Sequence, residues 1–225
     1  MTIILLAGAT GMVGAEALAL LLVDERVRQV VAPTRRALPP HSKLHNPIVT
    51  SDDLQPGSEW WAADGAISAL GTTRATAGSA AAYRAIDYDY SLAVAVQVRK
   101  AGATRFALVS SMGADPRSRF TYPKTKGELE DAVGLLGFES LTLVRPGVLS
   151  GHRRDHRPAE AFLGSLLQAI APVLPAAARV SPAATVAKLL VEAALDGTAG
   201  RHIVTSHMIA LAAKCRGSKE RSGDV

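Results

Sequence analysis

Tyr122 and Lys126 stand four apart in "TYPKTKGELE", and "LVSSMGAD" just upstream sets Ser110 and Ser111 at the end of an apolar run. On a helix such a spacing shares a face, which brings the Lys126 ammonium beside the Tyr122 phenol. A nearby cation favours the phenolate and makes proton exchange with a carbonyl or an alcohol feasible near neutrality. A hydroxyl from the serine pair, Ser111 before Ser110, would hold the reacting oxygen and donate to a developing alkoxide. Alone, Y-x-x-x-K also describes a surface tyrosine–lysine pair. Its position after a strand-terminal serine pair gives it chemical content.

The N-terminal "LLAGATGMVG" spaces Gly8, Gly11 and Gly14 as G-x-x-G-x-x-G between an apolar run and a helix-forming stretch. In that context Gly8 permits a tight turn, Gly11 lets a pyrophosphate approach the backbone, and Gly14 lets helix and strand pack closely. The helix start adds free N–H groups and the positive end of its dipole. At the end of the second apolar run, "APTRRA" offers Arg35 and Arg36 and no carboxylate. A free ribose 2′-hydroxyl calls for a carboxylate there and a 2′-phosphate for a guanidinium, so NADP(H) is favoured over NAD(H). As plain structure, the arginines are solvated loop charges. Asp52 in "SDDL" is placed either to meet an adenine edge or to cap its turn, and Gly71, Thr72 and Thr73 in "ALGTT" either line the cofactor or form a turn.

These residues need a scaffold that gathers strand ends. Short aliphatic runs at Ile3–Ala7, Val30–Pro33, Pro47–Thr50, Ala66–Leu70, Arg105–Ser110, Leu141–Arg145 and His202–Val204 alternate with helix-forming stretches. The latter are Met12–Asp24, Ala80–Ala101, Lys124–Leu136, Ala159–Ala171 and Ala183–Leu195. Alternation of this kind predicts an α/β fold, a doubly wound, mainly parallel Rossmann-like sheet flanked by helices. A chain of 225 residues suits one such domain over residues 1–213, with a small substrate lobe drawn mainly from 146–182 and a mobile tail over 214–225.

Composition removes several alternatives. One cysteine, Cys215, excludes an intrachain disulfide and a cysteine metal site, and favours a reducing, cytoplasmic setting. No basic residue precedes the first apolar stretch, which makes it a poor signal peptide. "AFLGSLLQAIAPVLPAAA" is uncharged, but Pro172 and Pro175 leave it too short to span a bilayer. The net charge of +5 is partly the tail's, and no basic stripe with interleaved aromatics supports nucleic-acid binding. In "SGHRRDHRPAE", Arg153, Arg154 and Arg157 either clamp an anionic substrate or a cofactor phosphate, or form an exposed polar loop. His152 and His156 lack a third ligand for a metal. Trp60 and Trp61 suit core or interface packing. The short chain beyond Arg145 leaves a shallow substrate pocket, or one completed by a second copy in a homodimer.

Together these motifs resemble the short-chain dehydrogenase/reductase superfamily over roughly residues 1–205. "GATGMVG", "ALGTT", "YRAIDYDY", "LVSSMGAD", "YPKTKGELE" and "LVRPGVLSGHRRDHRPAE" are similar to its atypical NAD(P)-binding subgroup, which includes the Tat-interacting protein TIP30 and bacterial relatives. The resemblance implies cofactor contacts at Gly8, Thr10, Gly11, Met12, Val13, Arg35, Leu70 and Gly71, with nicotinamide-side contacts from Tyr122, Lys126 and the Pro146–Val148 stretch. It also shows three departures. Asp87 stands where many members place an asparagine, Pro123 disfavours a helical Tyr122, and the spacing from Ser111 to Tyr122 is short enough that Met112 competes for the serine position. The function expected is an NADP(H)-dependent oxidoreductase acting on a small carbonyl or alcohol. The alternative is an NADP(H)-binding regulator or scaffold with little turnover, and a sugar-nucleotide epimerase or dehydratase is disfavoured by the shortage of chain.

Overall fold

The computed structural model describes residues 1–50, 53–71, 78–151 and 180–221. Seven strands, β1 (Thr2–Ala7), β2 (Val27–Val31), β3 (Leu44–His45), β4 (Gly65–Ser68), β5 (Arg105–Val109), β6 (Ser140–Arg145) and β9 (Gly200–Thr205), form one sheet. Their order is β3-β2-β1-β4-β5-β6-β9. Each neighbouring pair runs parallel. The order reverses between β1 and β4, the switch point at which ligands of such sheets bind, outside the carboxyl ends of the strands. A short parallel pair, β7 (Leu149–Ser150) with β8 (Ser181–Pro182), stands apart from the main sheet.

Strand alternation supplies two cores. Ile4 and Leu6 of β1 face one side with α1 (Met12–Val23), while Leu5 and Ala7 face the other. The helix α5 (Ala183–Asp196) joins α1 on the first face through Val186, Leu190 and Val191. Its close approach to β4 is possible because Gly65 has no side chain to meet the Ala194 carbonyl. On the second face lie α3 (Ser91–Lys100), α4 (Thr121–Gly134) and Trp61, whose indole donates to the Gln55 carbonyl. The tryptophan pair is stacked at 4.2 Å, with Trp61 in the core.

Three elements differ from the sequence expectation. The third strand is Leu44–His45 rather than Pro47–Thr50, and only an isolated Thr34–Ile48 bridge follows. Pro33 and Pro47 have no N–H to continue a ladder, and the Asn46 amide instead donates to Ala32 O and Thr34 Oγ1. The long helix expected over Ala80–Ala101 is α2 (Ala80–Arg84), a π-turn at Ala85–Tyr90, and then α3. The terminal helix α6 (Ser206–Arg221) carries helical backbone past Lys214, where a mobile tail is expected. The Ala159–Ala171 helix and the segment 161–178 lie outside the described residues. Among the described residues no helix is long and apolar enough to cross a membrane.

Candidate active site

Gly8 follows β1 at φ +84°, and a Cβ there would lie 2.6 Å from the Ala69 carbonyl oxygen. Both facts require glycine, and together they press the turn against the end of β4 at the switch point. Gly14 is required for another reason, since a Cβ would run into the Gly8 carbonyl. Gly11 differs. Its backbone is extended at φ −76°, it is exposed, and its Cβ would meet nothing nearer than Gly8 O at 3.3 Å. The protein's own packing therefore does little to demand glycine at position 11, and that face stays open to a ligand. The first turn of α1 holds no acidic residue and no capping side chain, which leaves its N–H groups to an anion. Val13 is buried, so only its backbone is available, whereas Thr10 is exposed and Met12 packs by Gly151 at the start of the β7–β8 region.

The other cofactor candidates surround this turn. Arg35 and Arg36 are exposed past β2, with no ion-pair partner among the described residues. Thr34 Oγ1 donates to the Arg36 carbonyl at 2.7 Å and fixes that corner. The Arg35 charge bears on Tyr90, opposing burial, which holds the Tyr90 phenol above its ordinary range. Leu70 and Gly71 continue β4 toward the same edge. Past β6, Pro146 is buried and accepts from the Met112 N–H at 2.8 Å, and Val148 is exposed. Asp52, Thr72, Thr73, His152, Arg153, Arg154, His156 and Arg157 lie outside the described residues.

Around the tyrosine the structure separates the two serines. Ser110 Oγ is bonded to Glu130, a buried carboxylate that also takes two bonds from Arg145. Ser111 is 4% exposed, and its hydroxyl has no hydrogen-bond partner among the described residues. The available serine is Ser111. Tyr122 lies inside α4, one residue after its start, contrary to the expectation that Pro123 would keep it out. Proline is tolerated in a first helical turn because the N–H it lacks needs no helical partner there. The short Ser111–Tyr122 spacing closes as a tight loop: Asp115 N–H donates to the Pro123 carbonyl at 3.0 Å, and the Asp115–Pro116 backbone rests on Gly127, where a Cβ would not fit. Met112, 41% exposed, points to no such buried position.

Lys126 differs most from expectation. It is 3% exposed, and its Nζ pairs at 2.7 Å with Oδ1 of the fully buried Asp87. The π-turn places Asp87 there, and wide turns of this kind recur at functional sites. Both groups lie under Gly71, whose Cβ would sit 3.7 Å from Asp87 Oδ1 and 3.9 Å from Lys126 Nζ. Tyr83, buried and unnoticed in the sequence, has its ring 5.9 Å from that of Tyr122. Burial first, then the charges of Asp87 and Tyr122 beside it, raise the Tyr83 phenol well above its ordinary value. The signal that could have found it is its spacing of four from Asp87, the rule that picked out Tyr122 and Lys126. Outside this cluster, Arg84 bonds Glu128 at 2.5 Å and lies over the Tyr88 ring, stapling the π-turn to α4.

No family model matches the chain. Among solved structures, MoeE5 in complex with UDP-glucose and NAD superposes with a TM-score of 0.67 at 18% identity, over 95% of this chain and 82% of that one. A putative NAD-dependent epimerase/dehydratase from Bacillus halodurans gives 0.65 at 20% identity, over 95% of this chain and 100% of that one. At such identities the likeness establishes the fold, that of NAD-binding Rossmann enzymes. Curated relatives are nearer. "Protein fmp52, mitochondrial" of Emericella nidulans is 41% identical over 174 residues, 72% of this chain and 74% of the relative. The Candida albicans protein of that name is 36% identical over 156 residues, 66% of this chain and 67% of the relative. Their names overturn the cytoplasmic setting expected from the lone cysteine; a single thiol excludes an intrachain disulfide but does not choose among compartments. With 41% identity across that span, the chain belongs to the Fmp52 family.

Proposed function

We propose that the protein is an NADP(H)-dependent oxidoreductase of the atypical short-chain type, acting on a small carbonyl or alcohol. The observation that carries this reading is the Ser111 hydroxyl, buried without a partner among the described residues, at the end of β5 beside the helix that bears Tyr122. An unpaired buried hydroxyl costs stability unless something binds it, and a substrate oxygen satisfies it. The dinucleotide, when bound, supplies or accepts the hydride. Tyr122 gives or takes the proton at its phenolic oxygen, Ser111 donates to the substrate oxygen, and Lys126, fixed by Asp87 below Gly71, holds the cofactor side. The glycine turn and the open N–H groups of α1 take the pyrophosphate. Arg35 and Arg36, exposed and without ion-pair partners among the described residues, take a 2′-phosphate. The names of the curated relatives support a mitochondrial setting.

Substitution of Tyr122 tests this role. Tyr122→Phe is expected to reduce NADPH-dependent turnover across a carbonyl panel by at least about a hundredfold while leaving NADPH affinity within about twofold. If the chain is a nucleotide-dependent regulator, the same variant keeps its partner interaction and Gly11→Asp loses it. The compensated Lys126–Asp87 pair is the observation that favours this second reading.

A further inference from the structure

In the simplest version of a tyrosine–lysine site, a bare ammonium beside the phenol draws off its proton. That is not what the buried charges show. Lys126 has an anionic partner at 2.7 Å, and both members are almost wholly removed from water. The phenol of Tyr83 adds its dipole on the Asp87 side. The other charges on the packed elements are shared: Arg84 and Lys124 both reach Glu128, Arg145 and Arg201 both reach Glu130, and Arg201 also reaches Asp131. Helical spacing sets the Lys126–Asp87 ion pair one turn on from Tyr122, and the Tyr83 ring, whose phenol feels the Asp87 charge, lies 5.9 Å from the Tyr122 ring; the field of a pair falls off much faster with distance than that of a single charge.

We propose that Asp87 is a charge-compensating positioning residue: by cancelling the Lys126 ammonium it leaves Tyr122 its proton, which biases the site toward giving a proton to a carbonyl oxygen over taking one from an alcohol. This rests on the oxidoreductase reading above. In the favoured direction a bound reduced nicotinamide would supply the hydride to the carbonyl carbon, and the C=O pair would move onto oxygen. The Tyr122 O–H bond breaks as its proton passes to that oxygen. The phenolate left behind is reprotonated from solvent, which Tyr122 reaches directly, being 47% exposed.

The test is made on the nucleotide-free protein, so that it reads the charge arrangement independently of turnover. Tyrosine labelled with 13C at Cζ is followed by NMR through a pH titration, with Tyr122→Phe assigning the signal. In Asp87→Asn, Tyr122 is expected to ionise at lower pH than in the wild type, by about tenfold or more in its ionisation constant. Tyr83→Phe, which keeps the carboxylate, is expected to leave the Tyr122 titration within about twofold. Should Asp87→Asn fail to fold, the neutral double variant Asp87→Asn with Lys126→Met removes the buried pair altogether, a change that cores tolerate. It is expected to titrate as the wild type does. An unchanged titration in Asp87→Asn, or a change of about tenfold or more in either direction in the Tyr122 ionisation constant of the double variant, overturns the proposal. Absence of NADPH binding in calorimetry would instead overturn the oxidoreductase reading and leave the titration result standing.

Discussion

Three glycines that look equivalent in "GATGMVG" do different work, and substitution separates them. Gly14→Ala drives a methyl into the Gly8 carbonyl and Gly8→Ala adds a left-handed φ to a backbone collision. Each is expected to destabilise the fold by about 2 kcal/mol or more, seen as a lower midpoint in urea unfolding. Gly11→Ala asks its neighbours for only a few tenths of an ångström. It is expected to keep the wild-type midpoint within about 0.5 kcal/mol while weakening NADPH binding about tenfold or more, because the added methyl stands where a pyrophosphate approaches. Loss of stability without loss of affinity in Gly11→Ala would show that the turn serves only packing.

The helix α4 draws together the residues of the proposed site: Tyr122 in its first turn, Lys126 a turn later, Gly127 beneath the loop from β5, and Glu130 tying Ser110 to Arg145. Removing one partner of such a buried pair leaves the other uncompensated, and Glu130→Ala is expected to cost about 3 kcal/mol in denaturant unfolding. This element also shows what could be read without coordinates. The alternation of apolar runs made the parallel sheet legible, and the spacing of Tyr122 and Lys126 placed both on this one helix. Ser111 was preferred to Ser110 from the sequence, but the bond that occupies Ser110 was not legible, because it depends on Glu130 reaching across from a helix twenty residues on. Nor was the pairing of Lys126 with Asp87, which comes from a π-turn inside a stretch that reads as uninterrupted helix. Pro33 and Pro47 are visible in the sequence, yet it took the Asn46 side chain to show where the β3 ladder stops.

Across the whole molecule, the buried phenols tie stability to alkaline pH. Tyr83 is protonated in the folded chain well beyond the ordinary tyrosine value of 10.0, the value at which the unfolded chain releases the proton. Its contribution is thus fully present below about pH 10 and declines as pH rises further, since the unfolded state then binds fewer protons than the folded one. Tyr90, raised by burial against the opposing charge of Arg35, acts in the same sense. Tyr83→Phe is expected to flatten the loss of stability above about pH 10, read from denaturant midpoints at fixed ionic strength. An equally steep alkaline limb would place the titrating group elsewhere. The same molecule-wide arrangement sets glycine turn, arginine corner, Gly71 and Ser111 along one edge of the sheet, and the account stands on that edge holding a dinucleotide. Calorimetric titration with NADPH and NADH, on the wild type and on the double variant Arg35→Ala with Arg36→Ala, tests this most directly. NADPH binding is expected to weaken about tenfold or more in the double variant while NADH binding is unchanged; no binding of either nucleotide to the folded wild type would rule out the dinucleotide site.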